Sequence, residues 1–258
     1  PWTNRAKKIV GRYRDDKRDD SEPYSDSRFN ILWSNVQTLK SATFAKLPKP
    51  DVSRRFRDND PVGRVASLIL ERALDYEVQH YPDYAATMSA SVLDRFLPGR
   101  GTAWVRYEPK FRASEMGQPE GGLQPTEDAE ADEVLDYECA PCDYVHWMDF
   151  GHSVARSWQE VPRVWRRIYM TKDSLEKRFG KEKAKLIPMD ASPMKDTSDE
   201  TIDEDVDRAA IYEGWDKNTK RACWFSKGVK DFLDERPDPL GLEDFFPCPA
   251  PLYASLTN

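Results

Sequence analysis

Apolar positions recur at helical spacing through the first hundred residues, and proline or glycine cuts each series. From Arg28 onward, Phe29, Leu32, Val36 and Leu39 lie three or four apart, with Ile31 and Trp33 widening the face. Asn30 or Ser27 is placed to cap the start. The helix must stop before Pro48 and Pro50, because proline lacks an N–H and drives the preceding residue toward extended backbone. Pro48-Lys49-Pro50 reads as a rigid strut, and Asp51 to Asp58 as an extended arm. Asp60 then caps a second helix with Pro61 in its first turn. Val62, Ala66, Ile69, Ala73 and Tyr76 form its stripe, widened by Leu70 and Leu74. Pro82-Asp83 breaks it, and Tyr84 to Leu97 forms a third, with Ala85, Met88, Val92 and Phe96 on one face. Pro98-Gly99-Arg100-Gly101 ends that helix sharply. A shorter helical run, with Ala6, Ile9, Val10 and Tyr13 on one side, opens the chain, and Ser21 to Ser27 reads as a linker.

Beyond Gly101 the period changes. Thr102 to Tyr107 alternates and reads as a strand. Phe111 to Asp132 is acidic and rich in Gly, Pro and Glu, the composition of a loop. Val134 to Glu138 and Tyr144 to Phe150 read as strands, Gly151 to Trp158 as a turn or short helical piece, and Val161 to Met170 as a strand. Thr171 is a cap for Lys172 to Phe179, Gly180 its C′ residue, and Lys181 to Leu186 a short helix. Pro188 to Asp207 is an acidic linker without the turn glycine a calcium loop needs. Ala209 to Trp215, Ala222 to Ser226 and Asp231 to Leu233 make a meander. The proline-dense stretch Phe245 to Tyr253 suits an extended arm. The pattern therefore predicts an α+β chain: N-terminal helical hairpins over 1–98, then small, mostly antiparallel sheets with long acidic loops over 99–258.

Composition narrows the function. Of 258 residues, 39% are hydrophobic and 33% charged, yet eight Trp, eleven Tyr and eleven Phe argue against overall disorder. A net charge of −7 makes the chain a poor clamp for nucleic acid, whose binding rests on phosphate neutralisation. Four cysteines do not make a disulfide framework. The longest apolar runs are too short for a bilayer, and no signal-peptide pattern opens the chain. A start at Pro1 and a stop at Asn258 read as a piece of a longer protein.

Candidate chemistry is sparse. Cys139-Ala140-Pro141-Cys142 is a CxxC, followed by His146 and His152. Zinc needs about four N or S ligands, and a CxxC turn commonly supplies two. The C-x2-C-x3-H-x5-H spacing departs from the usual finger, so a zinc-dependent nucleic-acid enzyme or binding module on these four residues stands as the alternative reading. There is no Gly-x-Ser-x-Gly and no P-loop, and Gly99-x-Gly101 lacks the third glycine of a dinucleotide site. Asp149, His152 and Glu160 assemble into an acid–base set only on paper. No catalytic residue, cofactor or metal is assigned. Two basic clusters remain: Arg54, Arg55, Arg57 and Arg64, candidates for a subunit interface, and Arg163, Arg166 and Arg167. In a ring of heterologous contacts one basic side must meet the next subunit's acidic side.

Five blocks carry a resemblance. They are the Asn30-x-x-Trp33-x-x-x-x-Thr38-Leu39 helix with Pro48-Lys49-Pro50, Arg54-Arg55-Phe56 and Asp60-Pro61-Val62-Gly63-Arg64; Leu97 to Pro109; His146-Trp147-x-Asp149-Phe150 with Trp158-x-Glu160-Val161 and Lys177-Arg178-Phe179-Gly180; Glu213 to Lys217; and Phe245 to Tyr253. In number and order they resemble the N-terminal region of phage portal proteins, the large portals of short-tailed, headful-packaging phages and related prophages. The resemblance implies the wing of a head-to-tail connector: a ring, dodecameric in the family, at one capsid vertex of the virion, assembled in the host cytoplasm. Through it double-stranded DNA is packaged and ejected. Its implied partners are further copies of itself, the major capsid protein, the terminase and a tail adaptor, with no membrane. A portal is not an enzyme, since the packaging ATPase belongs to the terminase. Another head–tail adaptor protein is the remaining alternative.

Overall fold

A computed structural model describes residues 2–15, 29–54, 60–113, 133–191 and 208–237. It is an α+β fold of helices and small antiparallel sheets. The chain divides into two compact units, each discontinuous in sequence: one takes Pro1–Ser21, Leu97–Arg100 and Val145–Asn258, the other Glu22–Phe96 and Gly101–Tyr144.

The second of these holds α2 (Ile31–Thr43), α3 (Pro61–His80), α4 (Pro82–Phe96) and two two-stranded sheets. The caps act as the sequence implies. Asn30 Oδ1 accepts from Trp33 N at 2.9 Å, and Asp60 accepts from Val62 N and Gly63 N. β1 (Thr102–Val105) pairs with β4 (Cys142–Val145), and β2 (Glu108–Ala113) pairs antiparallel with β3 (Glu133–Cys139). The stretch expected as a loop from Phe111 thus begins inside β2, because Phe111, Arg112 and Ala113 find partners in Leu135, Val134 and Glu133; 114–132 lie outside the described residues.

In the other unit, α1 (Trp2–Arg14) precedes a five-stranded antiparallel sheet in the order β5-β6-β7-β8-β9 (Phe150–His152, Arg163–Met170, Ala209–Asp216, Arg221–Ser226, Asp234–Pro237). Thr171 caps α5 (Lys172–Phe179), Gly180 turns the chain at φ +84°, and α6 (Lys181–Lys185) follows. Leu175, Ala184, Ile187, Ala209, Ile211 and Leu233 form the core between helices and sheet. Two strand expectations need correction. Tyr144 to Phe150 is not one strand: a turn closed by Asp149 N donating to His146 O at 2.8 Å buries Trp147 and separates β4 from β5. The last strand lies at Asp234–Pro237 rather than Asp231 to Leu233, because Leu233 turns its side chain into the core and pairing with β8 starts at Asp234. The Phe245 to Tyr253 arm and 192–207 fall outside the described residues.

Candidate functional site

The zinc reading fails to find its geometry. Cys139 closes β3 and Cys142 opens β4. Cys139 Sγ donates to Glu108 O at 3.8 Å. Burial, with the Asp143 charge beside it, pushes the Cys142 thiol up. His146 Nδ1 accepts from Met148 N, and His152 Nδ1 donates to Ser153 O at 2.9 Å. Among the described residues no three His, Cys, Asp or Glu side chains gather as a metal site.

In the second basic cluster Arg166 and Arg167 turn inward, while Arg163 stays exposed. Arg166 Nε meets Glu213 Oε2 at 2.8 Å across β6 and β7, with both side chains largely buried, and Trp215 Nε1 donates to the other Glu213 oxygen. Arg167 Nε holds Asp149 Oδ1 at 2.7 Å. Arg163 Nε holds Asp216 Oδ2 at 2.7 Å. Burial works against the Asp216 charge, but Arg163 and the backbone N–H groups of Asn218 and Thr219 outweigh it and keep this carboxyl below the usual carboxylate range. These arginines serve the sheet.

Within the same unit lies a cavity of about 220 Å³, lined by Trp2, Lys7, Arg100, Trp147, Phe150 and Arg167 among others. Arg100 Nη2 donates to the carbonyls of Trp147 at 2.8 Å and Phe150 at 2.5 Å, and its guanidinium lies 4.4 Å from the centre of the Trp2 ring. Trp2 Nε1 in turn donates to Pro98 O. The arrangement fastens the start of α1 to the 97–100 turn, and its arginines are engaged with the chain's own groups.

Of the proposed interface arginines, Arg54 is held by its own chain. Its Nη1 donates to Asp60 O at 2.9 Å, its Nη2 lies 3.6 Å from Asp60 Oδ2, and its guanidinium covers Gly63 so closely that a Cβ there would fall 2.6 Å from Cζ. Arg64 is exposed on α3. Arg55 and Arg57 lie outside the described residues.

The unexpected feature is α3 itself. None of its residues is buried. The half-buried ones are Gly63, Ser67, Glu71, Asp75 and Val78, mostly the polar side. The arm residues Val52 and Arg54 lie on this side: Val52 N donates to Glu71 Oε2 at 3.4 Å, and Arg54 caps Gly63. The apolar stripe points the other way, with Val62 73%, Ile69 64% and Tyr76 62% exposed. In a surface helix of a globular protein the apolar stripe faces the core; here the order is reversed. On α2 only Val36 is buried, while Ile31, Trp33 and Leu39, and Phe29 just before the helix, are exposed. Periodicity found both stripes but not the side of the molecule they face.

Among known proteins, no family model matches the chain, and no curated protein matches it.

Proposed function

We propose that this protein is the subunit of a phage portal, a head-to-tail connector that forms a ring at one capsid vertex and passes double-stranded DNA during packaging and ejection. The observation that carries the reading is the outward apolar stripe of α3. A 20-residue helix gains most of its stability from packing an amphipathic face, not from propensity alone. An exposed apolar stripe of this kind marks an interaction site, read here as a contact with another protein surface. The five sequence blocks that resemble portals supply the identity of the assembly, and the proposed partners follow from it: other copies of the chain, the major capsid protein, the terminase and a tail adaptor.

The test is electron microscopy of the purified protein viewed end-on. Closed rings with a central hole are expected. A monodisperse monomer, at concentrations where exposed apolar surface would drive association, overturns the proposal.

A further inference from the structure

The apolar surface of α3 is wider than one partner helix needs. At about 100° per residue, Leu68, Val65, Tyr76, Ile69, Val62, Ala73, Ala66, Leu70 and Leu74 follow one another around roughly two thirds of the circumference. All of them are exposed. A single neighbouring helix covers a stripe half that wide. The two flanks of this arc also differ in charge. Arg72 interrupts it on the Leu68–Val65 side, and Glu77 on the Leu70–Leu74 side. Both are exposed.

Written as a heptad, Val62, Ile69 and Tyr76 take d, Ala66, Ala73 and His80 take a, and Arg72 and Glu77 fall at g and at e of the next repeat. In parallel side-by-side helices these two positions form interhelical salt bridges. The other flanking positions, Val65 at g and Leu70 at e, are apolar, which extends the seam to both sides instead of closing it around one partner.

From this we infer that each α3 sits between the α3 helices of two further copies of the chain, touching one with its Val65–Arg72 flank and the other with its Leu70–Glu77 flank. The contact is heterologous: different surfaces meet, and repetition generates a ring when the rotation closes. Cyclic symmetry gives every α3 the same direction along the ring axis, as the Arg72-to-Glu77 register requires. The inference rests on the ring reading above and assigns that ring an interface.

Two measurements on the assembled protein test it. In the first, Arg72→Glu and Glu77→Arg are made singly and together, with sedimentation velocity as the readout. Each single reversal places like charges across the seam and is expected to raise the concentration needed for assembly by about tenfold; the double variant restores the pair and returns it to near the parent value. Both sites are exposed, so circular dichroism and thermal midpoints of the unassembled variants stay at the parent values. Single variants that assemble as the parent does, or a double variant no better than the singles, overturn the inference.

In the second, a photo-cross-linking residue replaces Leu70 in rings assembled from equal amounts of isotope-labelled and unlabelled chains. Mixed-isotope cross-links to the 62–76 segment of another copy are expected. Cross-links confined to the same chain, or to another part of the neighbour, overturn it. If the parent protein forms rings while either test fails, only the α3 contact is lost; if it forms no oligomer, the ring reading falls with it.

Discussion

At the scale of single residues, the sheet depends on one buried pair. Arg166 and Glu213 stand directly opposite in β6 and β7 and are about 12% and 8% accessible at the side chain. An ion pair removed from water is costly to create, but removing one member costs more, because the other stays buried and charged. Arg166→Met should therefore destabilise the protein by about 3–5 kcal/mol in urea unfolding. Arg221→Ala is the contrast: its partner Glu235 lies 2.6 Å away on the β8–β9 edge, but both side chains are well exposed, and the loss should stay under about 1 kcal/mol. Equal costs for the two substitutions would contradict this account of the sheet. From sequence the arginines of β6 looked like one basic cluster, because spacing along a strand does not reveal which carboxylate the next strand brings across.

At the scale of elements, α4 shows how a helix can dock through polar groups. Its most buried side chains are Thr87, Ser91 and Asp94. Thr87 Oγ1 donates to Cys142 O at 2.9 Å, Ser91 Oγ to Thr102 O at 3.2 Å, and Asp94 accepts from the Tyr144 hydroxyl at 2.6 Å. Each satisfies a group that burial would otherwise leave unpaired. The helix comes so near the chain that a Cβ on Gly101 would lie 1.9 Å from the Ser91 carbonyl oxygen. Gly101→Ala is expected to cost at least about 1–3 kcal/mol, as overpacking against backbone does; a thermal midpoint equal to the parent's would refute the close approach. Helix positions, Asn30, Asp60 and Thr171 caps and the Gly180 stop were legible in the sequence because each depends on a few neighbouring residues. The orientation of α2, α3 and α4 was not. Apolar stripes announce that a face will be covered, but Val62, Ile69 and Tyr76 do not say by what, and the inward side of α4 was hidden in Thr, Ser and Asp. The β9 edge strand, Asp-Glu-Arg-Pro, was missed because its side chains are polar and its strand character comes from pairing with β8 alone.

At the scale of the whole molecule, charge and assembly act together. On the ring reading, the chain's net charge of −7 is multiplied by every copy added. The arginines of the second basic cluster, Arg163, Arg166 and Arg167, are paired with Asp216, Glu213 and Asp149. Affinity for duplex DNA grows with each phosphate that a free cation neutralises, and it falls steeply with salt for that reason. On the portal reading, a ring of net acidic subunits would offer DNA a passage with little to hold it. The assembled protein should therefore retain no linear duplex in a filter-binding or gel-shift measurement at physiological salt, while the same preparation still shows rings by microscopy. A tight complex whose affinity drops by orders of magnitude between low and moderate salt would mean that exposed cations form a phosphate-binding track, and the conduit reading would have to give way to a clamp.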